Sequence, residues 1–257
     1  RVRSDVHCSV TRLQGQAREI IVRSRVKALY GRSLEARIRT VLEDLDVQGV
    51  RVEVDDAGAL DFVLTARLEA ALHRLFPESV GRTVLPVRRR PLGPVVADRP
   101  RRSRLYIPGD QPKLMINAGL FGADGIILDL EDAVAPERKE EARYMVRNAL
   151  LSLDFGTAER MVRINPLPAG LEDLKVVLPG GVDLILVPKV ETAASLRELE
   201  AFLNEELPRL GGELAEHRPF IMPILETARG IMNADEIAGA CPGVVALTLG
   251  LEDLTAD

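Results

Sequence analysis

Cysteine and histidine are scarce in this sequence. Only two of its 257 residues are cysteine, Cys8 and Cys241, far apart and outside any metal-ligand spacing. That argues against a disulfide framework or a zinc site, and a reducing cytoplasm is the expected setting. The three histidines, His7, His73 and His217, share no motif, so histidine-based catalysis is not expected. No uninterrupted apolar run is long enough to span a bilayer, and the opening RVRSDVHCSV lacks the apolar segment of a leader. A strong charge imbalance is also missing. With a formal net charge of -5 and 28% charged residues, composition gives no reason to expect nucleic acid as partner. What is present is apolar material: 46% of the chain is hydrophobic, enough for one large or two modest domains.

A stretch rich in proline and arginine near residues 77–103 divides the chain, with no helical or strand period. The expected domains are therefore 1–78 and 103–257, joined by a linker at 79–102. The linker arginines are read as solvated, the alternative being a strip docked on an acidic neighbour. Before the linker lies a small α+β unit. REIIVRSRV reads as a strand, and SLEARIRTVLEDL as a helix with Leu34, Ile38, Val41, Leu42 and Leu45 on one face and Ser33 as N-cap. VRVEV alternates as a second strand, DDAG turns the chain, and TARLEAALHRLF is a second helix. This unit is expected to fold by itself and pack loosely.

After the linker come six short apolar runs: SRLYIP, GIILDL, RMVRIN, VDLILVP, FIMPIL and VVALTLG. Helix-like segments separate them, such as PERKEEARYMVRNALL with Pro136 suited to a first helical position. Repeated strand–helix units imply a parallel sheet covered by helices, doubly wound or closed as a barrel.

The run GIILDLEDAV raises the functional question. Its apolar residues suit a buried strand, yet Asp129 and Glu131 follow on one face. The later runs repeat the pattern. Arg163 and Asn165, Lys189 and Glu191, Glu226, and finally Glu252 and Asp253 stand at their ends. In a (β/α)8 barrel that end of the strands is the active-site mouth. Glu226 and Asp253, from neighbouring strands, are hard oxygen donors suited to one Mg²⁺. Arg163 offers a planar fork for a carboxylate. Metal plus arginine suits a 2-oxo or 2-hydroxy acid. The plain alternative is a salt-bridge network that closes the mouth. It weighs least on Glu226 and Asp253, because two carboxylates brought together without a cation repel.

Six ordered motifs, SRLYIPGDQPKLM, GIILDLEDAV, VRINP, VPKVE, ILETARG and LGLEDL, resemble the HpcH/HpaI aldolase and citrate lyase β-subunit family over nearly all of residues 103–257. The resemblance implies a TIM barrel and Mg²⁺-dependent carbon–carbon cleavage of a 3-hydroxyacyl thioester. It places metal carboxylates on Glu226 and Asp253 and the substrate-carboxylate arginine on Arg163. The site so expected has Arg163 and Glu131 as catalytic residues, and Arg163 and Glu226 toward the substrate. SDVHCSV, VKALYGRSLEARI and VEVDDAGALDFVLTARLEAAL resemble the citrate lyase acyl carrier protein, which bears a dephospho-CoA-derived phosphopantetheine arm on a serine. Aligned without gaps, the attachment position holds Arg3, with Ser4 one place later. Either Ser4 takes the role by a register shift or the unit carries no arm; the latter is the expectation.

Together these imply a fused carrier–lyase chain cleaving a citryl thioester to oxaloacetate and an acetyl thioester. A malyl-CoA or citramalyl-CoA lyase and a non-catalytic scaffold are the rivals. A homo-oligomer and a transferase (α) subunit are the expected partners. Six strand–helix units against a barrel's eight lead to the expectation of two more beyond Asp257.

Overall fold

The computed structural model describes residues 4–79, 82–86 and 92–256; the Arg3 attachment position lies outside them. The N-terminal unit begins with β1 (Val6–Arg12), β2 (Arg18–Ser24), α1 (Lys27–Asp44), β3 (Val50–Asp56) and α2 (Asp61–Leu75). Its sheet has the order β1-β3-β2, with β1 antiparallel and β2 parallel to β3. Val50, Val52 and Val54 alternate onto the covered face, where Leu34, Ile38, Val41 and Leu42 of α1 meet them. The helix starts six residues before Ser33, so Ser33 is not its cap, and no side chain caps it.

The second part contains β4 (Arg104–Pro108), α3 (Pro112–Met115), β5 (Gly125–Asp129), α4 (Lys139–Ser152), β6 (Glu159–Arg163) and α5 (Gly170–Val177). It continues with β7 (Leu184–Val187), α6 (Ala193–Leu210), α7 (Gly212–Glu216) and β8 (Phe220–Leu225). Then follow α8 (Ala228–Met232), α9 (Ala234–Ala238), β9 (Thr248–Leu249) and α10 (Leu251–Ala256). Pro136 heads a 3₁₀ turn, Pro136–Arg138, that runs into α4.

The six strands pair in chain order, β4 to β9, and every pair is parallel. A doubly wound sheet reverses its strand order at a switch point, and here none occurs. Single winding curls the sheet and puts helices on its outer face. The apolar residues divide accordingly. Ile126, Leu128, Val162, Ile185 and Leu225 belong to one cluster with the helices, while Ile127, Met161, Leu184, Leu186 and Met222 form another on the concave face. The sheet is thus a half-barrel, open between β4 and β9 among the described residues.

The two parts do not pack loosely. Their apolar residues form one continuous cluster, and α2, eleven of whose fifteen residues are buried, lies against α4. Several buried polar groups on this face are paired. Glu69 and Arg147, 0% and 1% exposed, form an ion pair at 2.5 Å, and Asn148 donates to the Phe62 carbonyl. Arg67 bridges Asp5, Glu141 and the Asp110 carbonyl. Ring stacking of His73 on Tyr144, 5.5 Å between centroids, completes the contact. The connecting arginines are docked as well: Arg101 holds Glu159 at 2.6 Å, Arg102 holds Asp124, and Arg99 donates to the Asp124 and Thr157 carbonyls.

Candidate active site at the strand ends

The polar side chains gather where β5 to β8 end. Asp129, the last residue of β5, is fully buried. Its carboxylate accepts the Glu131 and Ala133 amides at 3.0 and 3.2 Å, which folds the turn after the strand. The same carboxylate takes the Nε–Nη2 edge of Arg163, its register partner on β6, at 2.7 and 2.6 Å. The Nη1 of Arg163 lies 2.8 Å from Glu131. Tyr106 of β4 presents its ring to this guanidinium at 5.3 Å. Burial works against the cation, but the Asp129 and Glu131 charges hold Arg163 firmly protonated. Arg163 thus spends its Nε–Nη2 edge on Asp129 and turns Nη1 to Glu131, so a carboxylate from outside would share its Nη hydrogens with these acids.

Glu131 is the middle of a charge chain. Its other oxygen accepts from the Lys189 ammonium at 3.0 Å. Burial pushes its carboxyl up, while Lys189 and Arg163 pull it down. Lys189 sits in the left-handed region at φ 54, a conformation that strains a residue with a Cβ. That turn brings its amide to the Oε1 of Glu226 at 2.7 Å and its side chain to Glu131. One strained residue thus ties two acids of the mouth together.

Glu226 ends β8 almost fully buried. Burial first, then the Glu131 and Asp253 charges, push its carboxyl up to about 7, although the Lys189 amide bond pulls the other way. Gly250 makes room for it: a Cβ there would lie 2.5 Å from Oε2. Asp253 stands half-buried at the start of α10, close enough for its charge to raise Glu226. Among the described residues no cage of three or more His, Cys, Asp or Glu exists. The pair Glu226 and Asp253 fits a cation that takes its remaining ligands from water or substrate, the usual habit of Mg²⁺.

Of the predicted residues, Arg163, Glu131, Glu226 and Asp253 therefore meet in one mouth. Ser4 belongs to the N-terminal unit, half-buried at φ 62, its amide on the Ala57 carbonyl at 3.3 Å. Sequence reading passed over Lys139, whose ammonium donates to the Leu130 and Glu131 carbonyls and to Asn165 Oδ1. It lies at a helix start, outside the strand-end pattern. Asn165 is fixed in turn by Asp173, which Arg143 holds at 2.8 Å. A cavity of about 570 Å³ opens elsewhere, among Gly93, Pro94, His217, Phe220 and Gly243. It takes in the start of β8, where none of these carboxylates lies, and plays no part in the site.

Comparison with known proteins adds the following. The family described as HpcH/HpaI aldolase/citrate lyase matches residues 102–257, and the ACP family described as malonate decarboxylase delta subunit (MdcD) matches residues 3–75. Citrate lyase subunit beta of Leuconostoc mesenteroides subsp. cremoris is 41% identical over 162 residues, which are 62% of this chain and 53% of that protein. A (3S)-malyl-CoA thioesterase of Cereibacter sphaeroides is 39% identical over 157 residues, 60% of this chain and 50% of that protein. A solved citrate lyase beta subunit from M. tuberculosis, complexed with oxaloacetate and magnesium, is 32% identical with a TM-score of 0.47, covering 61% of this chain and 62% of that one. The chain spans about half the length of the curated relatives it matches.

Proposed function

The chain belongs to the HpcH/HpaI aldolase/citrate lyase family, and on that footing we propose that it cleaves a citryl thioester to oxaloacetate and an acetyl thioester. The observation that carries this reading is Glu226: a carboxyl pushed up to about 7 beside Asp253 and Glu131, in a mouth that also holds Arg163 and Lys189. Such an acid is short of a positive charge. Glu226 and Asp253 would hold Mg²⁺, a Lewis acid that stabilises oxygen charge as the substrate hydroxyl becomes a ketone. Lys189 fixes Glu226 through its amide and so sets the direction of the carboxylate. Arg163, oriented by Asp129 and Glu131, would share its Nη hydrogens with the substrate carboxylate. Glu131, held between Arg163 and Lys189, would accept the hydroxyl proton as the carbon–carbon bond breaks and its electron pair passes to the acetyl thioester enolate. The enolate carbon takes up one proton from solvent, so that no net proton is gained or lost once Glu131 releases its own.

The test is calorimetric titration of Mg²⁺ and oxaloacetate into wild type, Glu226→Gln and Asp253→Asn. Loss of metal binding in both variants is expected, with Arg163→Lys weakening oxaloacetate alone because an ammonium cannot replace the fork. Metal binding unchanged in both would move the site away from this pair.

The same reading covers the rest of the chain. We infer a carrier-like domain at residues 1–78, a connector at 79–102 and a lyase domain at 103–257, whose single winding supports a closed (β/α)8 barrel. The N-terminal match supports a carrier-like domain, and we read it as carrying no phosphopantetheine arm on Ser4. A homo-oligomer and a transferase subunit are the proposed partners, and the cytoplasm the proposed setting. No helix among the described residues is long and apolar enough to cross a membrane.

A further inference from the structure

One ammonium beside the mouth faces only neutral oxygens. Lys139 opens α4, where the positive end of the helix is unfavourable for a cation. Its Nζ donates to the Leu130 carbonyl at 3.2 Å, to the Glu131 carbonyl at 3.0 Å and to Asn165 Oδ1. Three donors meet three acceptors, and among the described residues Lys139 forms no ion pair. No hydrogen is left over for a substrate. The two carbonyls belong to the peptide units on either side of the Glu131 Cα, and Asp129 accepts the Glu131 amide at 3.0 Å. The turn adds one bond of its own, from the Val134 amide to the Glu131 carbonyl at 3.2 Å. Backbone bonds therefore set the direction in which the Glu131 side chain leaves the turn.

The support for Lys139 runs away from the mouth. Asp173 of α5, 0% exposed, accepts the Asn165 backbone amide at 2.7 Å and its Nδ2 at 2.8 Å. A carboxylate can only accept, so the Asn165 side chain turns its nitrogen to Asp173 and its oxygen to Lys139. The same Nδ2 donates to the Leu130 carbonyl at 3.1 Å, and Arg143 holds the other oxygen of Asp173 at 2.8 Å. The start of α4, the end of β6 and α5 are thus joined behind the turn that carries Glu131. In front of it, Arg163 and Lys189 hold the Glu131 carboxylate, and both are charges that an anionic substrate would also draw. The bonds from Lys139 fall on the backbone and involve no group that the substrate would touch.

We propose that Lys139, set in place by Asn165 and Asp173, is a positioning residue for Glu131: it fixes the turn so that the carboxylate meets the hydroxyl of a citryl thioester in reacting geometry. The inference rests on the reading of Glu131 as the proton acceptor and adds the group that aims it. Lys139 touches neither substrate nor metal. It acts through Glu131.

The test is a double-mutant cycle in the full chain. With Mg²⁺ present, kcat and KM for citryl-CoA are measured in wild type, Lys139→Met, Glu131→Gln and the double variant, and Mg²⁺ is titrated into each by calorimetry. Lys139→Met should lower kcat by up to about a hundredfold, the effect of moving a reacting group by about 1 Å, and leave KM and Mg²⁺ affinity nearly unchanged. In the Glu131→Gln background the same change should lower kcat by no more than about twofold, because the group it aims is already gone. Lys139→Arg, which keeps a cationic donor, should recover part of the loss. Unchanged kcat in Lys139→Met overturns the inference alone. So does an equal fold loss in both backgrounds, or loss of Mg²⁺ binding in Lys139→Met, since either shows a merely structural role. A wild type that does not turn over citryl-CoA, or a Glu131→Gln variant as fast as wild type, overturns the reading of Glu131 and this inference with it.

Discussion

Replacing Arg147 by methionine should separate a firmly joined molecule from one made of two loosely tethered units. In the structure Arg147 leaves α4 and meets Glu69 of α2 through two contacts, Nη2 to Oε2 at 2.5 Å and Nη1 to Oε1 at 3.2 Å. Neither side chain reaches solvent, at 1% and 0% exposure. Glu69 also accepts the Val84 amide at 3.3 Å, and Arg147 donates to the Val84 carbonyl and to Asn148. Methionine fills much of the same volume but leaves Glu69 buried without its counter-ion. Breaking one side of a buried pair costs about 3–5 kcal/mol. The double variant Glu69→Leu/Arg147→Met removes both charges and should recover most of that loss, because an apolar replacement of a buried pair is often neutral or better. The chain has no tryptophan, so urea unfolding is followed by far-UV circular dichroism. A loss below about 1 kcal/mol in Arg147→Met would refute the reasoning, since a surface pair costs no more than that. A double variant as unstable as the two single losses added would refute it equally, by showing no coupling.

Without metal, wild type should lose stability as pH rises from the ordinary carboxyl value of 4.5 to about 7, because folded Glu226 holds its proton more tightly than unfolded Glu226. Glu226→Gln should flatten that slope and exceed wild type at pH 8 by about 1–2 kcal/mol in urea titrations, and a steeper loss in the variant would contradict the assignment. Gly250→Ala puts a Cβ within 2.5 Å of Glu226 Oε2 and should weaken Mg²⁺ binding at least about tenfold while circular dichroism stays unchanged. Ser4 should carry no prosthetic group in protein from the native host; a mass increase lost in Ser4→Ala would show the opposite.

The parts legible in the sequence are those where one residue type settles the outcome locally. GIILDL and FIMPIL became β5 and β8 almost residue for residue, because continuous apolar runs of that length suit strands covered on both faces. VVALTLG gave only the two residues of β9, since its pairing with β8 is confined to Ile224–Thr248 and Leu225–Leu249, with one bridge at Val244. The segment VHCSVTR was not read as a strand. Its polar positions face outward, and its order comes from seven antiparallel pairs with β3, a partner forty residues away and invisible to local pattern. The start of α1 was misplaced for a related reason: Val26 caps it by backbone alone, and Ser24, not Ser33, donates the local support by accepting the Val26 amide. The end-of-strand acids were visible as a list of positions. Which acid is spent on structure was not. Asp129 and Glu131 look equivalent in LDLED, yet only Asp129 is consumed by two amides and a guanidinium. The docking of α2 on α4 was hidden most deeply, since Glu69 and Arg147 stand 78 residues apart.

The two large charge clusters of the molecule show why one is architecture and the other a site. Where α2 meets α4, the acids Asp5, Glu69, Asp110 and Glu141 face Arg67, Arg138 and Arg147, and each acid has a guanidinium within 3.1 Å. Its four acids share three guanidiniums in direct contact, which accounts for them as architecture. At the strand ends Asp129, Glu131, Asp132, Glu226 and Asp253 share Arg163 and Lys189 among the described residues, and neither Glu226, whose carboxyl is driven up to about 7, nor Asp253 has an ion-pair partner there. Burial that leaves an acid unmatched is unfavourable unless a ligand supplies the missing charge. A cation on Glu226 and Asp253 would supply it from the acidic side, and the carboxylate of an oxo acid would answer Arg163. An excess of buried carboxylate around one guanidinium and one ammonium is what a bound cation would neutralise, and the cation in turn would draw an anionic substrate to Arg163.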